Sequence, residues 1–378
     1  MRAARKVTPW VIPVALAILA QGCSLSSGVS IGVYEPMSGS SASGGQAVWE
    51  GISLAREMHP EVLGKKVHLH LEDNRTDKVE AANAVTRLID QEEVVAIIGS
   101  YGSSLSLAGG AVAKSKGIPV VGCSPTDPMV TRNNDYYFRA CFADPFQGRA
   151  MAKYAFDAGA RTAVVVRNIE DDYSTSLASC FSETFVGLVK DAGCVLGQFE
   201  YRTGDTDFTT QLLEIAELEP DVVFAPGNYG DSALLVKQAR TLKISASFLG
   251  GDTWEAPEFL KVGGWAVEGA VFSVHYSPDS ASTEAAKEFA DSYKDKYNKE
   301  PNAYAALGYD AYLLVLEAIR AAGKADPALI RDSLAKIRDY AGVTGTITMD
   351  ASRDAQKSVV LLEIKNGSHR YLTTVEPF

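Results

Sequence analysis

The stretch EVVAIIGSYGSSLSLAGGAVAKSKGIPVVGCS, residues 93–124, holds the unit whose reading decides the fold. A short apolar run ends in a glycine- and serine-rich turn, a helix of small residues follows, and IPVVGCS opens a second apolar run. Apolar strands separated by a crossover helix form a parallel pair covered on both faces. The turn GSYGSS opens that helix, where N–H groups lack intrahelical partners. Such a turn suits a phosphate, a nucleophilic serine or the carboxylate of a small ligand. The local residues leave all three uses open.

Working outward, the same alternation recurs on both sides. VSIGVYE (29–35) and KKVHLHLED (65–73) read as strands, with helices predicted over Gly44 to Met58 and over KVEAANAVTRLIDQ (78–91). A second run of the same kind starts near DPFQGRAMAKYAFDAGA (144–160). It continues through RTAVVVRN (161–168), a helix from Tyr173 to Asp191, GCVLGQFEY (193–201), PDVVFAP (220–226), DSALLVKQARTLK (231–243) and ASFLGGD (246–252). Two doubly wound α/β halves, each with its own sheet, are expected. The remainder is too little for a third unit. EGAVFSV (268–274), helices Thr283 to Tyr297, Ala303 to Ala322 and Pro327 to Lys336, GTITMD and the alternating KSVVLLEIKNGSHRYLTT (357–374) complete the first two. The helices return to the first half and the hairpin to the second. Several crossings between lobes imply a hinge, and a hinge implies closure over something bound between them.

The amino end carries an address. Arg2, Arg5 and Lys6 precede the apolar run VTPWVIPVALAILA, which leads into QGCS. The run is shorter than the ~20 residues of a membrane helix and is broken by Pro9 and Pro13, so it reads as an export signal over residues 1–22. LAQGC resembles a bacterial lipobox, with Cys23 as the lipidated first residue; simple secretion with an unmodified Cys23 is the other reading. Removing 22 of 378 residues takes away three basic groups and no acid, moving net charge from −11 to −14. No basic block remains for nucleic acid. Sequence separation pairs Cys123 with Cys141 and Cys180 with Cys194, or leaves four buried thiols.

The enzyme motifs fail one by one. A P-loop needs a lysine that GSYGSSLS lacks, IGVYEPMSG supplies no GxGxxG, and the turn has no GxSxG elbow. His68 and His70 share a strand face, as a metal pair or as plain sheet-surface residues; His59, His275 and His369 are scattered. No catalytic residue, cofactor or metal site is expected.

PMSGSSASGG…GISLA, IIGSYGSS, IPVVGCSPTDPMVT, YYFRACFADPFQG, DDYSTSLA, DTDFTTQL, KQAR and FLGGD occur in this order along the chain. In these motifs and their spacing the sequence resembles the type I periplasmic binding proteins of ABC transporters, in the leucine/isoleucine/valine-binding branch. The resemblance implies an α/β fold of two doubly wound parallel-sheet lobes joined by a three-strand hinge, with the ligand between them. Residues 24–143 plus 276–345 are expected in the N-terminal lobe and 144–275 plus 346–378 in the C-terminal lobe.

By resemblance, Ser103 and Ser104 take the ligand carboxylate, Ser124 offers a carbonyl and Thr126 a hydroxyl to its ammonium, and Asp252 is the acidic partner across the cleft. Tyr173 reaches the ligand from the second lobe, Tyr101 and Tyr304 touch its side chain, and Asn228 stands where a tyrosine is common. Gly44 replaces an aromatic residue and is expected to widen the pocket. Each has a plainer reading: Ser103 and Asp252 as caps, Ser124 and Thr126 as a self-bonded turn, Tyr173 as a helix-start packing residue. The implied function is an extracytoplasmic lipoprotein that captures an α-amino acid, branched-chain or aliphatic, and delivers it to a membrane permease as a monomer. A ligand-sensing receptor of the same fold, binding an amide or other small polar solute, is the rival reading.

Overall fold

The structure, a computed structural model, describes Ala4, residues 28–280 and residues 283–376. Apart from Ala4, the export signal lies outside the described residues, as does Cys23. Two sheets dominate. The first runs in the order β2-β3-β1-β4-β5-β6, from β1 (Val29–Glu35), β2 (Glu61–Val62), β3 (Lys65–Asp73), β4 (Ala96–Ile98), β5 (Val120–Gly122) and β6 (Tyr137–Arg139). All its pairs are parallel except the short β2–β3. The second runs β16-β15-β11-β10-β9-β7-β8. Its parallel part comprises β7 (Ala163–Asn168), β8 (Val195–Tyr201), β9 (Val222–Phe224), β10 (Ser247–Gly250) and β11 (Val271–Val274). A three-stranded piece, β12 (Tyr340–Gly342), β13 (Gly345–Met349) and β14 (Ala355–Gln356), precedes the hairpin β15 (Val359–Lys365) and β16 (Ser368–Val375). That hairpin adds to β11 antiparallel.

The physical reason is visible in burial. Every residue of β4, β5, β6 and β9 is buried, as strands covered on both faces must be. Strand β3, covered on its outer side only by the two-residue β2, alternates only weakly and stays half exposed. The covering helices begin where side chains cap them: Asp77 on α2 (Lys78–Asp90), Asp171 on α6 (Asp172–Val189) and Asn228 on α8 (Tyr229–Thr241) each accept N–H groups of the first turn. Others start without a side-chain cap, namely α1 (Ala42–Met58), α3 (Ser103–Lys116), α4 (Met129–Arg132), α5 (Asp144–Asp157), α7 (Thr209–Leu218) and α9 (Pro257–Gly263). Of the late helices α10 (Glu284–Tyr297), α11 (Ala303–Ala322) and α12 (Pro327–Leu334), the second is buried along most of its length and packs on α1.

The chain leaves the first sheet after β6 and the second after β11, and it re-enters the second at β15 from the three-stranded piece. Cys123, Cys141, Cys180 and Cys194 are all free thiols, three of them buried, so the pairing suggested by sequence separation does not form. Burial pushes the Cys141 thiol up to about 12, which suits an inert core residue.

Candidate functional site

Parallel strands deliver their loops to one sheet edge, and the edges of the two sheets face each other. Between them lies a cavity of about 280 Å³. Six of the residues singled out in the sequence line it: Tyr101, Ser104, Ser124, Tyr173, Asn228 and Asp252. Ser103, Thr126 and Tyr304 are fully buried and do not reach its wall.

On the N-terminal side the wall is the turn before α3. Gly102, with φ of +84°, occupies the N-cap position, so no side chain closes the helix end. The hydroxyls beside it are engaged within the protein. Ser103 Oγ accepts the Asp127 N–H at 3.1 Å, and Ser104 Oγ donates to Asp172 Oδ2 of the opposite lobe at 2.7 Å. Tyr101 is fixed by its own N–H, which donates to the buried Glu35 Oε2 at 2.6 Å. Its ring meets Tyr304 edge-on with centroids 5.0 Å apart. The same ring covers Gly44, where a Cβ would fall 2.3 Å from it. The space left by Gly44 is therefore filled by Tyr101, and the pocket is not widened there.

On the C-terminal side, Asp252 follows β10 and is 3% exposed. Gln147 Nε2 donates to its Oδ1 at 2.8 Å, and His275 Nε2 lies 3.3 Å from its Oδ2. Neither Gln147 nor His275 is evident from sequence as a site residue, though DPFQG carries the former. Tyr173 crowds Gly251, where a Cβ would lie 2.1 Å from the phenol oxygen; only glycine lets that ring settle beside Asp252. Asn228, on the cavity wall, also spans the cleft, its Nδ2 donating to Ser41 Oγ at 3.0 Å. Tyr229 adds a hydroxyl to the Ser40 carbonyl at 2.7 Å, and Lys78 pairs with Asp172 at 3.1 Å. The lobes are thus in contact across the cavity mouth.

Polar capacity is left over in and behind the wall. The Tyr101 and Tyr173 hydroxyls and Ser124 Oγ on the wall, and the Tyr304 hydroxyl and Thr126 Oγ1 behind it, are buried without a hydrogen bond of good geometry. Buried polar groups are normally paired, so such a cluster marks a place where another molecule belongs. The charge is one-sided. Asp171, Asp231, Asp252 and Glu170 line the cavity against Lys78 as its one lining cation. Burial pushes Asp171 and Asp231 up to about 6. Among the described residues no group of three or more His, Cys, Asp and Glu is arranged to hold a metal ion; His70 pairs with Glu92 at 2.8 Å. No helix among them is long and apolar enough to cross a membrane.

The periplasmic binding protein family model matches residues 28–368. Among solved structures, the leucine-binding protein LivK of Thermotoga maritima is 43% identical, with a TM-score of 0.89 over 92% of this chain and 99% of that one. LivJ of Streptococcus pneumoniae, solved with isoleucine, is 30% identical, with a TM-score of 0.85 over 93% of this chain and all of its own. Leu/Ile/Val-binding protein homolog 1 of Brucella abortus is 25% identical over 89% of this chain and 90% of its own length. These relatives are substrate-binding proteins, not enzymes, and the family implies a place outside the cytoplasm. With its family match over nearly the whole length and its two-lobed cleft, the chain belongs to the periplasmic binding protein family.

Proposed function

We propose that this protein is a lipoprotein anchored through Cys23 that captures an α-amino acid with an aliphatic side chain between its lobes and hands it to an ABC permease. The observation that carries the reading is Asp252, a buried carboxylate on the cavity wall whose side-chain partners are Gln147 and His275. An α-ammonium supplies the opposite charge. The ligand carboxylate then faces the uncapped start of α3, where the helix dipole alone favours an anion by about 0.3–2 kcal/mol. Ser124 and the Tyr101 and Tyr173 hydroxyls complete the shell. The faces of Tyr101 and Tyr173 supply apolar contact, in keeping with relatives that bind leucine or isoleucine.

The test is a thermal-shift screen of the purified protein against the twenty amino acids and simple uncharged amides. Leucine, isoleucine or valine is expected to raise the unfolding midpoint most. Stabilisation by an amide, with none from any α-amino acid, refutes the zwitterion reading. For the anchor, mass spectrometry of the mature chain is expected to find a diacylglyceryl group on Cys23; an unmodified cysteine contradicts it.

A further inference from the structure

The two oxygens of Asp252 have separate neighbours. Gln147 Nε2 reaches Oδ1 at 2.8 Å and also lies 2.8 Å from Ser273 Oγ, so the amide is held at a second point. His275 Nε2 faces Oδ2 at 3.3 Å, and the Phe142 ring lies against the imidazole with centroids 3.8 Å apart. Gln147, Ser273 and His275 are at most 1% exposed. Asp252 follows β10, Ser273 lies on β11 with His275 just beyond it, and Gln147 sits in the first turns of α5. The acid is therefore oriented from the C-terminal side alone, before the opposite lobe closes.

The chemistry of the two donors matters as much as their geometry. His275 Nδ1 is buried with no hydrogen-bond partner, which leaves Nε2 as the nitrogen that carries the proton. The other tautomer would turn a lone pair toward a carboxylate. Burial holds the His275 pKa below its ordinary value, with Lys357 adding to the effect and Asp252 opposing it, so the ring is neutral at pH 7. A glutamine amide is neutral at any pH. Both groups orient the carboxylate without cancelling its charge, whereas an arginine or lysine in either place would make Asp252 half of a finished ion pair.

We infer that Gln147 and His275 are positioning residues that fix Asp252 with neutral donors, keep its charge for the ligand's α-ammonium, and so set selectivity for amino acids over their des-amino analogues. The inference rests on the cavity taking an α-amino acid, as proposed above. It adds the device by which the acid is aimed.

The probes are leucine and 4-methylpentanoate, which has the same chain and carboxylate but no ammonium. Both are titrated calorimetrically into wild type, Gln147→Leu, His275→Leu and His275→Gln. Circular dichroism melts identify which variants fold, and Gln147→Asn, a shortened donor, replaces Gln147→Leu if that variant does not. The leucine-substituted variants are expected to weaken leucine binding about 10–100-fold while changing 4-methylpentanoate binding by about threefold or less. His275→Gln, whose amide can donate, restores most of the loss. Equal weakening of both probes, or unchanged leucine binding in folded variants at both positions, overturns the assignment. Wild type that binds no α-amino acid refutes the underlying reading itself, a result the variants cannot mimic.

Discussion

Two buried polar clusters lie between the lobes, one at the crossing segments and one in the cleft, and they handle charge differently. At the crossings, the fully buried Arg139 guanidinium lies 2.7 Å from Asp354, donates to the Pro125 carbonyl at 2.7 Å and to Thr131 Oγ1 at 2.8 Å. Lys357, also buried, bonds the Thr344 hydroxyl beside Asp310, whose carboxylate accepts the Val343 and Thr344 N–H groups at 2.7 and 2.9 Å. Each cation there has an anion near it. In the cleft, Asp252 has neutral donors, Asp231 faces Asp171, and several hydroxyls have no good partner. Satisfied networks hold a structure together, and unsatisfied ones cost stability unless something else completes them. The difference separates the part of the interface that joins the lobes from the part that waits for a ligand.

The sharpest way to break the comparison is at the crossings. Arg139→Leu leaves the Asp354 carboxylate without its cation, holding only the Thr131 hydroxyl at 2.8 Å, and is expected to destabilise the fold by about 3–5 kcal/mol. A denaturant titration measures it; a loss below about 1 kcal/mol would place the crossing cluster on a par with a surface pair. Next comes Asp144 behind the cleft, both of whose oxygens are buried without a partner of good geometry. Burial pushes its carboxyl from 3.8 up to about 8. Between those values the folded state holds a proton that the unfolded chain has released, so the unliganded protein loses stability as pH rises from 4 to 8. Asp144→Asn is expected to add about 1–3 kcal/mol at pH 8 and little at pH 4. Thermal melts across that range check both sign and window. The smallest effect belongs to the cleft mouth, where Lys78 and Asp172 are about half exposed. Lys78→Met is expected to change stability by about 1 kcal/mol or less and to do so less in high salt.

Much of this architecture is legible in the sequence because short apolar runs such as AIIG and PDVVFAP have few other uses. The turns that follow them are equally plain as turns, but it is the family resemblance that singles out Tyr101, Ser104, Ser124, Tyr173 and Asp252 within them. What was not legible depends on partners far apart in the chain. Arg139 and Asp354 are separated by more than two hundred residues, and nothing local marks either as half of a buried pair. Gln147 looks like any polar residue on an amphipathic helix, and His275 like one of several scattered histidines. Gly44 misleads for the same reason: its missing side chain suggests space, but the Tyr101 ring that fills the space comes from the turn between β4 and α3, far along the chain. GTITMD reads as a lone strand because the short segments flanking it, β12 and β14, are too brief to carry a periodic pattern.

The central claim is that the charge left uncompensated in the cleft is there for an ammonium group. Asp252→Asn tests it most directly, since the amide keeps the shape of the carboxylate and removes only its charge. Calorimetric titration with leucine is expected to give an affinity at least about 100-fold below wild type, the order expected for losing a buried charge pair. The unliganded variant should melt no lower than wild type. Leucine binding within about threefold of wild type would contradict the account.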